Sequence, residues 1–266
     1  MNRPTGEPPW GSPDPSGPRP AAPRLSIVFP CLDEADRLPA TLATYLAHYP
    51  PDPTEVELVV VDDGSTDRTA AVAGAVAATD RRVRVLRSDR NHGKGHAVRT
   101  GVGEARGELV VFTDADGSYG PEEVDRVVAA LATAPVAIGA RRRTRAGAGP
   151  LPRRLAGWVF NLAMRLLLPV SFHDTQCGVK GFRRDAAAAI FRRATVDGYA
   201  FDVEVLLLAR RLDLGVVEVE VKLTRHDGSR VRVAADARRM LADVWAVRRA
   251  AARGDYDEAP VRDPAG

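Results

Sequence analysis

Two clusters of acidic residues follow apolar runs closely enough to do chemistry together. Val59-Val60-Val61 runs straight into Asp62-Asp63-Gly64-Ser65, and Leu109-Val110-Val111-Phe112 runs into Thr113-Asp114-Ala115-Asp116-Gly117-Ser118. Acids at i and i+2, where a strand breaks into a turn, can both face one divalent cation. Their hard oxygens suit Mg²⁺ or Mn²⁺, ions that keep waters and bridge substrate phosphates. A second aspartate-x-aspartate, Asp255-Tyr256-Asp257, lies near the C-terminus and is assigned no function. Between the two clusters comes Asn91-His92-Gly93-Lys94-Gly95-His96. Its spacing is neither that of a Walker loop nor that of a dinucleotide fingerprint. A lysine opening a helix, with Arg99 one turn on, can still neutralise a diphosphate.

These residues need a scaffold that brings separate strand ends together. Apolar, β-rich runs at 25–30, 56–61, 83–87, 108–113 and 136–140 alternate with helical patterns at 34–48, 67–78, 95–105 and 121–132. Ser65 or Thr66 is placed to cap the second of these helices. Such alternation predicts an α/β fold with a mostly parallel, Rossmann-like sheet flanked by helices. In open α/β sheets ligands bind beyond the carboxyl ends of the strands, where both acid clusters fall. A helix over 202–212, a strand over 216–223 and a helix over 234–252 follow, the last with Met240, Leu241, Val244 and Trp245 as its apolar stripe. The final dozen residues read as a loose tail.

Composition narrows the class. Residues 1–23 hold eight of the 20 prolines and almost no aliphatic side chain, so a disordered segment without a signal-peptide core is expected there. Cys31 and Cys177, far apart, suggest a reducing compartment rather than a disulfide framework. The net charge is only +3, yet arginines cluster at 141–145, 153–154, 183–184, 192–193 and 238–239. As a set they suit a phosphate-bearing or anionic-membrane partner, and no nucleic-acid motif accompanies them. In residues 153–170, Arg154, Asn161 and Arg165 share one helical face and apolar side chains cover the rest: too short and interrupted to span a bilayer, the stretch reads as an in-plane interfacial helix at 153–168, with Trp158 near the headgroups, or as an ordinary packed helix.

Taken in order, FPCLDEADRL, VVVDDGSTDRT, NHGKGHAVRTG, FTDADGS, DTQCGVKGFRR and FDVEVL resemble glycosyltransferase family 2, the inverting GT-A group. The last two segments are similar to the dolichyl- or polyprenyl-phosphate glucosyltransferases and to the polyprenyl-phosphate mannose synthases. The resemblance covers about residues 25–235. It implies a GT-A domain over 24–235, followed by a C-terminal helix and tail over 236–266, with the C-terminal helices amphipathic. It also implies a nucleotide-sugar donor cradled by Pro30, Asp33 (where asparagine is usual) and Glu34, with base and ribose on Asp62 and Asp63. Lys94 and Arg99 would lie near the donor. Asp114, Ala115 and Asp116 would form the segment against the diphosphate, with Asp114 and Asp116 holding the metal. Arg141, Asp174, Gln176, Lys180 and Arg225 fall on the acceptor side, with Arg142 and Arg143 as further phosphate holders, and residues 225–230 as a closing loop or a hairpin turn. Asp202 and Glu204 form a late acidic pair, Asp202 being the candidate base and Asp116 the second catalytic carboxylate.

The implied reaction is inverting transfer of glucose from UDP-glucose to a polyprenyl phosphate by a peripheral protein at the cytoplasmic membrane face, docked by its own edge or through a separate membrane partner. Alternatives are GDP-mannose as donor, a soluble acceptor, or a nucleotide-sugar-binding or membrane-surface adaptor without turnover. The intact acid pairs count against the last.

Overall fold

The computed structural model describes residues 22–141, 172–198, 200–224, 245, 247–250, 253, 254 and 256. Seven strands form one sheet: β1 (Leu25–Cys31), β2 (Val56–Asp62), β3 (Val83–Arg87), β4 (Leu109–Phe112), β5 (Val136–Arg141), β6 (Lys180–Arg183) and β7 (Val216–Val221). Their order is β3-β2-β1-β4-β6-β5-β7, all neighbours parallel except that β6 runs antiparallel to β4 and β5.

Period-two alternation splits the core. Val28, Val59 and Val61 face α3 (Lys94–Glu104), α5 (Arg184–Phe191) and α6 (Phe201–Arg211), while Ile27, Phe29, Leu58 and Val60 face α1 (Leu38–His48), α2 (Thr69–Thr79) and α4 (Pro121–Ala130). The chain winds from β1 outward to β3, then returns to the other side of β1 with β4. Cys31, Asp62 and Thr113 therefore end up at one sheet edge, across a topological switch point.

One strand escaped the sequence reading, and two expectations need correction. Strand β6 falls inside the DTQCGVKGFRR motif, which carries no β-branched alternation; tertiary packing of Phe182 on Phe112, 6.1 Å between ring centres, fixes it instead. Neither Ser65 nor Thr66 caps α2. The Ser65 hydroxyl accepts the Asp33 N–H at 2.9 Å, and the first turn is served by Asp67 Oδ1, which accepts from Thr69 N at 2.8 Å. The C-terminal stretch is not uniformly loose. Val247 and Tyr256 are buried in the α3/α5/α6 core, while Trp245, expected on the apolar stripe, is 54% exposed with the Arg249 guanidinium 4.3 Å from its ring centre. The candidate interfacial helix, Met240, Leu241, Val244, Arg142, Arg143 and Arg225 lie outside the described residues. Among the described residues no helix is long and apolar enough to cross a membrane.

Candidate active site

The rim beyond β1, β2 and β4 is built by loops that lock one another. Asp33 sits at φ 55°, a left-handed conformation that aspartate tolerates. Its Oδ1 accepts the N–H groups of Thr66 (2.9 Å) and Asp67 (3.2 Å). Glu34 takes a bidentate fork from Arg37, at 2.7 and 2.5 Å, and Arg37 lies 4.0 Å from Asp116 Oδ2. The loop after β1 thus meets the second acid cluster through Arg37, a residue the motif reading passed over. Pro30 is the penultimate residue of β1, half-buried between these loops.

Asp62 and Asp63 are both buried and face inward as much as outward. Asp62 Oδ1 accepts Ser65 N at 3.1 Å, while its Oδ2 accepts no hydrogen bond and has Arg87 Nε at 3.3 Å. Asp63 accepts His92 N and Gly93 N, the latter at 2.7 Å, and so shapes the loop that presents Lys94. His96 stacks on His92 with 4.4 Å between ring centres. Burial, then the neighbouring His92 and Arg99, hold its pKa below the ordinary histidine value.

Lys94 opens α3, and its Nζ donates to Asp114 Oδ1 at 2.5 Å. Asp114 packs on Gly178: a Cβ there would sit 1.9 Å from Asp114 Oδ2, so only glycine leaves room for the carboxylate. Asp116 is half-buried, its Oδ1 accepting Ser118 N at 2.9 Å. Ala115 between them is buried, its carbonyl taken by Thr41 Oγ1 at 2.9 Å, which anchors the segment to α1. No group of three or more histidine, cysteine or acidic side chains that could hold a metal occurs among the described residues. Two half-buried carboxylates instead fit a divalent ion whose remaining positions are filled by phosphate oxygens and water.

Asp202 lies in the first turn of α6 and Lys180 in β6. Lys180 is fully buried, and its Nζ donates to Asp202 Oδ1 at 2.5 Å and to the Cys177 carbonyl at 2.7 Å, 5.5 Å from the Phe112 ring centre. Lys180, expected on the acceptor side, is buried behind Asp202 and holds it. Burial raises the Asp202 pKa above the usual carboxylate range; Lys180 and Lys94 oppose this, and Asp114 adds to it. Asp202, Lys94 and Asp114 therefore share one electrostatic cluster, drawn from α6, α3 and the turn after β4.

Arg141 ends β5 and forks onto Asp174, Nε to Oδ2 at 2.6 Å and Nη2 to Oδ1 at 2.9 Å. Burial works to raise the Asp174 pKa, but this fork outweighs it and leaves the group below the usual range. Gln176 is half-buried two residues on, and Cys177 Sγ donates to the Tyr119 hydroxyl at 3.3 Å, tying this segment to the stretch that follows β4. Thr224 N donates to Ser118 O at 2.9 Å, so the chain enters residue 225 from beside that same turn.

Arg99, expected beside the donor, donates to Asp197 Oδ1 at 2.5 Å and to Val196 O at 3.5 Å. It braces the turn before α6, which Asp197 O fastens to α3 by accepting Gly95 N at 2.7 Å and His96 N at 3.3 Å. Gly95 is required by that approach, since a Cβ would meet Val196 O at 2.3 Å and Phe201 Cβ at 2.7 Å. Gly95→Ala is therefore expected to destabilise by about 1–3 kcal/mol through overpacking. Gly74→Ala, in α2 with open space around its Cβ, should instead stabilise by about 0.5–1 kcal/mol. Urea unfolding midpoints of the two variants check this; equal shifts in one direction would contradict it.

A family model described as "Glycosyl transferase family 2" matches residues 26–191. The chain is 37% identical over 224 residues to the dolichyl-phosphate beta-glucosyltransferase of Drosophila melanogaster, covering 78% of this chain and 69% of that protein. It is 32% identical to the Homo sapiens protein of the same name over 225 residues, 78% and 69% of the two chains. The Saccharomyces cerevisiae protein is 30% identical over 254 residues, 87% of this chain and 76% of that one. Among solved structures, mannosyl-3-phosphoglycerate synthase from Rubrobacter xylanophilus superposes with a TM-score of 0.66 at 23% identity, covering 91% of this chain and 78% of that chain. Glucosyl-3-phosphoglycerate synthase from Mycobacterium tuberculosis, in complex with Mn²⁺, UDP-glucose and phosphoglyceric acid, gives 0.64 at 21% identity, covering 85% of this chain and 80% of that chain. These two likenesses bear on the fold.

Proposed function

Because the chain belongs to glycosyltransferase family 2, we propose that it transfers glucose from UDP-glucose, with inversion, to a polyprenyl phosphate at the cytoplasmic face of a membrane. The observation that carries this reading is the cluster of Lys94, Asp114 and Asp202 at the carboxyl edge of the sheet. Lys94 and Asp114 form an ion pair there, and the charges of both act on the Asp202 carboxylate that Lys180 holds. The names of the relatives supply the acceptor class and the sugar.

The chemistry follows from charge. In-line displacement at the anomeric carbon expels a nucleoside diphosphate from the opposite face, so negative charge grows on the leaving oxygens. Asp114 and Asp116 would hold Mg²⁺ or Mn²⁺, which neutralises that charge when bound. Lys94 sits beside Asp114 and adds a fixed positive charge to the same place. A lipid phosphate attacks as an oxygen already anionic at neutral pH, so positioning matters more than proton removal. Asp202, locked by Lys180, is rigid enough to orient the sugar or accept a proton from a neutral acceptor. Asp62, Asp63, Asp33, Glu34 and Pro30 shape the nucleoside side mainly by ordering their loops. Arg141 with Asp174 and Gln176 borders the acceptor side, since an arginine fork also matches phosphate oxygens.

The test is transfer of labelled sugar with detergent-dispersed polyprenyl phosphate and Mn²⁺. Label from UDP-glucose is expected in a mild-acid-labile lipid. Label from GDP-mannose alone would replace the donor; label confined to water-soluble product would replace the acceptor; nucleotide binding without transfer would overturn the enzyme reading.

A further inference from the structure

Glu204 is fully buried, two residues beyond Asp202 on α6, and its carboxylate is met by four donors. Its Oε1 accepts Thr195 N at 2.8 Å, Thr195 Oγ1 at 2.9 Å and the Tyr256 hydroxyl at 2.8 Å, and its Oε2 accepts Val196 N at 2.9 Å. A buried carboxylate must be satisfied by hydrogen bonds or a cation, and the donors here join the 195–196 segment to Tyr256. Thr195 and Val196 lead into Asp197, whose carbonyl takes the Gly95 and His96 N–H groups. Those groups belong to the first turn of α3, where backbone donors lack helical partners. Lys94 opens that turn and reaches Asp114. Tyr256 is 3% exposed although aspartates flank it in sequence, so its ring and hydroxyl are both engaged at this clamp.

We propose that Tyr256 is a positioning residue of the donor site, holding Lys94 against Asp114 through Glu204 and the 195–197 turn. The proposal rests on the reading of Lys94 and Asp114 as the diphosphate side of the site. The hydroxyl completes the Oε1 set; without it the carboxylate can shift toward its other donors, and the turn that caps α3 shifts with it. The consequence falls on the charge presented to the leaving diphosphate, hence on kcat more than on the donor KM.

Tyr256→Phe keeps the ring and removes the hydroxyl's bond to Glu204, so kcat is expected to fall about fivefold, the rate equivalent of one hydrogen bond, with the UDP-glucose KM changed less than about twofold. Lys94→Met is expected to lower kcat about a hundredfold, as loss of one charge-stabilising donor does. In the Lys94→Met background, Tyr256→Phe should have no further effect, because the group it positions is gone. All rates are measured where circular dichroism shows each variant folded. An unchanged kcat for Tyr256→Phe, or the same fivefold loss in both backgrounds, would overturn the role of Tyr256 and leave the assignment of Lys94 standing. Full activity of Lys94→Met would overturn that assignment and the positioning role with it.

Discussion

Asp116→Ala should abolish transfer, lowering kcat by about a thousandfold or more, while the protein stays folded. The expected loss is large because the carboxylate is one of the two proposed to hold a divalent ion against the diphosphate. The structural cost is small because Asp116 is half-buried and its one hydrogen bond within the turn comes from Ser118 N; about 1 kcal/mol of stability is at stake. Chelation of the wild type should reproduce the loss, and Mn²⁺ or Mg²⁺ should reverse it, whereas the variant should not recover at any metal concentration. Near-wild-type turnover of Asp116→Ala in metal-replete buffer would remove the metal role from this turn.

Lys180→Met is expected to cost about 3–5 kcal/mol, the usual penalty for leaving one member of a buried ion pair alone. Lys180 is fully buried, and Asp202 is nearly so. The effect should also be readable in pH. Burial holds the folded-state pKa of Asp202 above its unfolded value, so its contribution to stability is present in acid and is lost as pH rises through the folded value. Removing Lys180 takes away the second-largest influence and the main one opposing burial, so the folded pKa climbs further. The variant should lose stability relative to wild type as pH rises from about 4 toward neutrality. The acid limb of its kcat profile should move to higher pH. Urea midpoints at acid and neutral pH, with the rate profile, decide it; a wild-type midpoint and an unmoved acid limb would separate Lys180 from Asp202.

Much of this framework was legible in the chain, and the reasons for the gaps are physical. Strands β1, β2 and β4 announce themselves by short β-rich apolar runs, and acids at their ends mark the edge where a polar ligand belongs. Helix α3 and its lysine were legible from the glycines around it. What could not be read was partnership. Lys180 and Arg99 look alike as basic residues in motifs, yet one is buried behind Asp202 and the other braces Asp197. Asp62 and Asp63 look like ligand-binding acids, yet their oxygens also order the loops around them. Strand β6 lacked periodicity because Lys180 and Gly181 occupy half of its four residues. Tyr256 sits in a polar tail, and only the tertiary fold reveals the carboxylate that receives it.

The antiparallel placement of β6 beside β5 has one more consequence. Arg141 at the end of β5 and Asp174 ahead of β6 are clasped together, so the described chain on either side of residues 142–171 is held at one point. Closing a longer loop on ends fixed in this way adds little entropic cost. Insertions or exchanges between positions 141 and 174 should therefore leave the seven-stranded sheet and the turn after β4 undisturbed.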